Sequence, residues 1–159
     1  MKKTTIIAVL LLVGYYAHAQ NDDCRKIKKH VNPVQGITEF RSPSVDMGLI
    51  FYKTITKDDT TYQVDAYGQS PNRNYKAKGI YIKLDNGDFL MDETLAAALT
   101  ALDSYTYRYI ATLKLNKEEI DGLKQFKIVK FGIAGIDYDV SKKDAAKYQN
   151  WLICLLGDK

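Results

Sequence analysis

Apolar and polar residues alternate with period two along much of the chain, the signature of half-buried strands. The clearest run is 105–115. There Tyr105, Tyr107, Tyr109, Ala111, Leu113 and Leu115 share one face, Thr106, Arg108, Thr112 and Lys114 share the other, and Ile110 is the exception. Segment 47–56 is rich in β-branched and aromatic residues, and 61–67 resumes the alternation with Tyr62, Val64 and Ala66 on one face. The polar stretch Lys57-Asp58-Asp59-Thr60 between them predicts a hairpin. Residues 79–84 set Ile80, Ile82 and Leu84 against Tyr81 and Lys83, and Phe89-Leu90-Met91 follows. The Asn86-Gly87 pair between these runs predicts a tight turn with both central residues at positive φ. Residues 128–133 predict a further strand with Val129, Phe131 and Ile133 on one face, and 37–41 a short one stopped by Ser42-Pro43. Segment 24–31, Cys-Arg-Lys-Ile-Lys-Lys-His-Val, predicts an edge strand whose solvated lysines discourage further pairing. Residues 68–74 hold Gly, Ser, Pro and two Asn, and predict a loop.

Toward the C-terminus the period changes. Asn116 followed by Glu119 is a capping-box pattern, and it predicts a short helix with Ile120 and Leu123 inward. Ser141 opens a last helix whose apolar stripe is Ala145, Tyr148, Leu152 and Leu155, joined by Trp151, with Cys154 beside it. Residues 93–102 have helical composition and equally fit an extended crossing segment. The order predicts an α+β fold: a mostly antiparallel sheet with a short helix and a C-terminal amphipathic helix packed on it.

The first nineteen residues change where this fold would work. Lys2 and Lys3 precede an apolar run over residues 6–13, and Ala17-His18-Ala19 has the small-x-small form of a cleavage site. A secretory signal peptide over 1–19, cut after Ala19, leaves one domain over 20–159 and predicts a secreted or periplasmic location. The apolar run is too short to span a bilayer, and no later segment approaches ~18 apolar residues, so no transmembrane helix is expected after cleavage. Cys24 follows Asn21-Asp22-Asp23 and lacks the small residue that would specify lipidation. In an oxidising compartment Cys24 and Cys154 most simply form one bridge, closing a loop worth at most ~5 kcal/mol of chain entropy. No C-x-x-C pair suggests redox work.

Composition narrows the chemistry. Without Lys2 and Lys3, 21 basic residues face 19 acidic ones, a net of +2, which gives no reason to expect nucleic acid. Of twelve tyrosines only Tyr15 and Tyr16 leave with the leader. Tyr-rich domains of this kind bury the ring in a strand and leave the hydroxyl wet, or else use the rings to stack on sugars. His30 is the one histidine after cleavage and sits among lysines, a poor setting for a base or a metal ligand, so it is read as a solvated surface residue. No nucleophile-elbow, zincin or P-loop motif is present. The carboxylates remain: Asp137 and Asp139 in a loop after Gly135, and Asp85 and Asp88 flanking the hairpin turn. Neither set has the alternating oxygen ligands of a calcium loop, and both are read as turn chemistry. No catalytic residue, cofactor or metal is assigned.

The chain resembles a group of small secreted proteins of Bacteroidota. The likeness lies in the early cysteine, in Lys29-His30-Val31-Asn32-Pro33-Val34-Gln35-Gly36-Ile37-Thr38-Glu39-Phe40, in the late strand–helix–strand–helix order, and in the cysteine within Asn150-Trp151-Leu152-Ile153-Cys154-Leu155-Leu156. In that group the early segment tends to carry an acidic residue and a Phe-Thr pair, where this chain has Gly36-Ile37-Thr38. No activity is attached to the group, so the resemblance implies location and fold alone. The reading that follows is a noncatalytic domain binding an extracytoplasmic protein or envelope component. The alternative is a carbohydrate-binding module or weak glycoside hydrolase, which requires exposed aromatic rings beside carboxylates.

Overall fold

The computed structural model describes residues 23–157; the expected leader and its cleavage site lie outside them. The strands are β1 (Lys28–Asn32), β2 (Ile37–Arg41), β3 (Gly48–Ile55), β4 (Thr60–Ser70), β5 (Lys78–Leu84), β6 (Phe89–Ala96), β7 (Ala98–Ala101), β8 (Tyr107–Leu115), β9 (Ile128–Ile133) and β10 (Ile136–Asp139). Two helices, α1 (Lys117–Gln125) and α2 (Lys142–Leu156), complete them. All pairings are antiparallel. One sheet runs β1-β2-β3-β4-β8-β7 and the other β10-β9-β5-β6, an α+β arrangement. Among the described residues no helix is long and apolar enough to cross a membrane.

Each sheet has one apolar face because residues paired across strands point the same way. In the six-stranded sheet Leu49, Phe51, Val64, Ala66, Tyr109, Ala111 and Leu113 form the buried face. Ile80, Ile82, Leu84, Leu90, Phe131 and Ile133 do so in the four-stranded sheet, and the two faces meet in one core. The narrower sheet lies over β4 and β8, and α2 contacts β3 and β9 beside it. Ala145, Tyr148, Trp151, Leu152 and Leu155 of α2 are buried, with the Tyr148 ring edge-on to Phe51. The N-caps form as expected: the Asn116 and Glu119 side chains exchange bonds with each other's backbone N–H, and Ser141 accepts from Asp144 N.

Cys24 and Cys154 are joined by a disulfide with their Cα atoms 5.2 Å apart. The N-terminal strand itself starts only at Lys28. Cys24 lies in helical backbone before it, and Ile27 N–H donates to Cys24 O. Asp23 beside it accepts a hydrogen bond from Asn150 of α2 at 3.1 Å.

Several expectations are corrected. Strand β4 runs on through Ser70, so the loop is shorter than the Gly, Ser and Pro content of 68–74 implies. Of the two readings of 93–102, the extended crossing segment is the one found: β6 finishes in the narrow sheet, Ala97 N–H bonds Ala77 O, and β7 then joins the wide sheet. Tyr105 lies outside β8 and is exposed. Val129 is also exposed, because β9 carries a bulge there: Lys83 opposes Lys130 while Leu84 opposes Ile128. The extra residue swings Val129 out and turns Ile128 inward.

The turns exchange roles. At Asp85-Asn86-Gly87 only Gly87 has positive φ (97°), giving a three-residue hairpin loop. The two-residue turn with both centres at positive φ is Ala134-Gly135 (58° and 79°) between β9 and β10. Ala-Gly is no turn signal, so the sequence predicts a loop at Asp137 and Asp139 where the chain in fact makes β10. The tyrosine hydroxyls are also less wet than composition implies. Tyr148 Oη accepts from Leu49 N–H, Tyr109 Oη from Asn74 N–H at 2.9 Å, and Tyr138 Oη both accepts from and donates to the Gln69 backbone at 2.9 Å.

Three stability outcomes follow, each read by urea unfolding. Cys24→Ser with Cys154→Ser lowers stability by about 2–5 kcal/mol. Tyr148→Phe leaves the buried Leu49 N–H without its acceptor and costs about 1–3 kcal/mol. Ala134→Asn relieves a left-handed alanine and gains about 0.5–1 kcal/mol.

Candidate functional site

The face of the four-stranded sheet turned away from the core gathers chemistry from all four of its strands. Strand register decides this. Tyr81 of β5 lies opposite Met91 of β6 on one side and Gly132 of β9 on the other, and Gly132 in turn lies opposite Asp137 of β10. One row along, Lys83 lies between Phe89 and Lys130, and Lys130 is opposite Asp139. Both rows point outward because Ile80, Ile82 and Leu84, the alternate residues of β5, point into the core.

At the centre of the face the Tyr81 hydroxyl donates to Asp137 Oδ1 at 2.7 Å. Lys130 Nζ sits between two carboxylates, 3.6 Å from Asp137 and 3.4 Å from Asp139. The Tyr81 and Phe89 rings are tilted together with centroids 5.9 Å apart, and Lys83 Nζ lies 5.3 Å from the Phe89 centroid. Phe89 is 51 % and Met91 50 % exposed, so the apolar centre is open to a partner. The face therefore runs from aromatic and thioether surface at its β6 edge, across Tyr81 and Lys83, to Lys130, Asp137 and Asp139 on β9 and β10.

Gly132 fixes the position of the Tyr81 ring. A Cβ there would fall inside contact with three ring atoms, so only glycine lets the ring lie flat across β9 toward Asp137. Burial of the phenol, followed by its bond to Asp137 and the charges of Asp137 and Asp139, pushes the Tyr81 pKa up to about 12. The phenol thus stays a hydrogen-bond donor across the physiological range.

The other residues singled out in the sequence do not join this face. Asp85 accepts from Lys127 N–H, a residue 42 positions away, so it ties β5 to the start of β9 rather than closing its own turn. Asp88 stays local, bonded to Asn86. His30 is exposed on β1, and Trp151 is buried in the core. Asp137 and Asp139 are the candidates that the fold brings together, and what assembles them is Lys130 and Tyr81, not turn amides. Sequence reading missed Lys130 and Gly132. The alternation of β5 already set Tyr81 and Lys83 opposite the core, and the strand partner of Tyr81 was the unknown.

A second polar cluster lies on the outward face of the wide sheet, where Asp65, only 8 % exposed, accepts from Thr112 Oγ1 at 2.7 Å and more distantly from Tyr67. Burial, with the nearby Asp65 and Tyr67, raises the Tyr52 pKa well above the ordinary phenol value, and Arg41 lies over the Tyr52 ring. The Asp65–Thr112 bond ties β4 to β8 and reads as part of what holds the strands in register. Among the described residues no three or more His, Cys, Asp or Glu side chains converge as a metal site. Comparison with protein-family models, with curated proteins and with solved structures returned no match.

The Tyr81 arrangement sets a pH dependence. Its folded pKa lies above the unfolded value near 10, so the stability it contributes is complete below pH ~10 and is lost as the pH rises through about 12. Gly132→Ala displaces the ring and removes this elevation. Phenolate absorbance titration, taken as the difference from Tyr81→Phe, reads both; a Tyr81 titrating at the free-phenol value in the parent protein contradicts the geometry.

Proposed function

We propose that the protein is a secreted or periplasmic, noncatalytic binding domain that uses the outward face of its four-stranded sheet to hold an extracytoplasmic protein or envelope component. The observation that carries this reading is the exposed Phe89 and Met91 beside Tyr81, flanked on the β9–β10 side by Lys130, Asp137 and Asp139. Exposed apolar and aromatic side chains flanked by charges are the composition of a protein contact surface. The location rests on the leader over 1–19 and on the Cys24–Cys154 bridge, a bond that persists in oxidising compartments. The resemblance to small secreted Bacteroidota proteins agrees with it. In this reading the C-terminal helix is an amphipathic brace packed beside the binding sheet, against β3 and β9.

A second reading, carbohydrate engagement, is favoured by one observation: the Tyr81 and Phe89 rings share their face with the Asp137 carboxylate. Rings that cover the apolar face of a sugar, with a carboxylate to accept from its hydroxyls, are what such a module needs.

One comparison separates the two. Tagged protein and a Phe89→Ala, Met91→Ala variant are used to capture components from envelope extract of the producing cell, and both are applied to a glycan array. A protein recovered by the parent and lost with the variant is the expected result. Glycan binding that disappears in Tyr81→Ala moves the assignment to carbohydrate. Silence in both assays ends both readings.

A further inference from the structure

The two sheets part company on one side of the molecule, and the gap has an unusual lining. Strand β6 is the edge of the narrow sheet. Strand β7 pairs with β8 only between Tyr107 and Ile110, so among the described strands the last five residues of β8 have no neighbour on that side. Met91, Asp92 and Glu93 on β6 and Leu113, Lys114 and Leu115 on β8 face each other across an open groove of about 630 Å³, closed at one end by Asn116 and Glu119.

Both walls present backbone. Leu84 N–H bonds Asp88 O, so alternation along the hairpin directs the bonds of Leu90 and Asp92 toward β5 and leaves the N–H and C=O of Phe89 and Met91 facing out. Leu102 N–H bonds Thr106 O, so the bonds of Arg108 and Ile110 go to β7, and those of Thr112 and Lys114 open into the groove. Of the other edge strands, β1 carries Lys28 and Lys29, and β7 and β10 are only four residues long, β10 with Asp137 and Asp139. This edge is longer. Its charge is one-sided, with Asp92, Glu93 and Glu119 against Lys114. Asp92 stays ionised because bonds from Thr94 and Leu95 hold its carboxyl below the usual range.

We propose that this groove receives an extended segment of a partner protein, added in line with β7 along the open edge of β8, whose side chains alternate between basic and apolar. Main-chain bonds to Thr112 and Lys114 supply the pairing, Leu113, Leu115 and Met91 take the apolar side chains, and Glu93, Asp92 and Glu119 take the basic ones. The surface is separate from the aromatic face, and Met91 alone belongs to both.

The test uses the whole mature chain and short capped peptides of about eight residues. One alternates lysine with valine, a second alternates glutamate with valine, and a third is the lysine peptide N-methylated at alternate residues, which removes its pairing N–H groups. Binding is read by calorimetry and by shifts of the Thr112 and Lys114 amide resonances. The lysine peptide is expected to bind at least about tenfold more tightly than the glutamate peptide and about tenfold more tightly than its N-methylated form. Glu93→Lys, an exposed substitution that leaves the fold intact, is expected to reduce the charge preference about fivefold or more. Equal affinity for the lysine and N-methylated peptides overturns strand addition, and equal affinity for the lysine and glutamate peptides overturns the basic partner. Self-association of the free chain that shifts the same two amides overturns the foreign occupant in favour of a second copy.

Discussion

A six-stranded sheet cannot be covered by a four-stranded one, and that mismatch organises the molecule. The apolar face that includes Leu49, Phe51, Val64, Ala66, Tyr109, Ala111 and Leu113 must leave water for the fold to be stable. The narrow sheet reaches only the β4 and β8 part of it, so a second element has to cover β3. The C-terminal helix does so, and it is held there by three kinds of bond. Apolar packing runs along Ala145, Tyr148, Trp151, Leu152 and Leu155, the Tyr148 hydroxyl meets the Leu49 N–H, and a covalent link runs from Cys154 to Cys24. The same mismatch explains the groove on the opposite flank. There, among the described residues, no helix completes the narrower layer, and the crossing from β6 to β7 leaves two strand edges open.

Most strands of this arrangement were readable in the sequence because their signal is local. Alternation locates β4, β5 and β8, β-branched and aromatic content locates β3, and the capping residues Asn116 and Ser141 locate the helices. What was not readable depended on distant partners. Val129 turns outward only because β9 must bulge to keep Phe131 opposite Ile82. Strand β10 exists because Ala134 tolerates a left-handed conformation that its residue type does not advertise. Residues 93–102 have the composition of a helix, and their pairing with β5 and β8 overrides that propensity.

The candidate site shows the same division. Asp137 and Asp139 stand out in the sequence as a closely spaced carboxylate pair, and their ionic partner Lys130 is a neighbour only across the β9–β10 hairpin. Phe89 and Met91 read as ordinary apolar strand residues; the hairpin register is what puts them on the wet side with Tyr81. A face assembled from four strands in register is rigid before any partner arrives.

The bridge between Cys24 and Cys154 has a mechanical side. Their Cα atoms lie 5.2 Å apart although 130 positions separate them in the chain. Tension that enters ahead of Cys24 and leaves beyond Cys154 passes through one covalent bond and bypasses every strand between. Pulled by its ends, the domain behaves as an inextensible link. A load applied instead through the outward face of the narrow sheet would be carried by hydrogen bonds and packing alone.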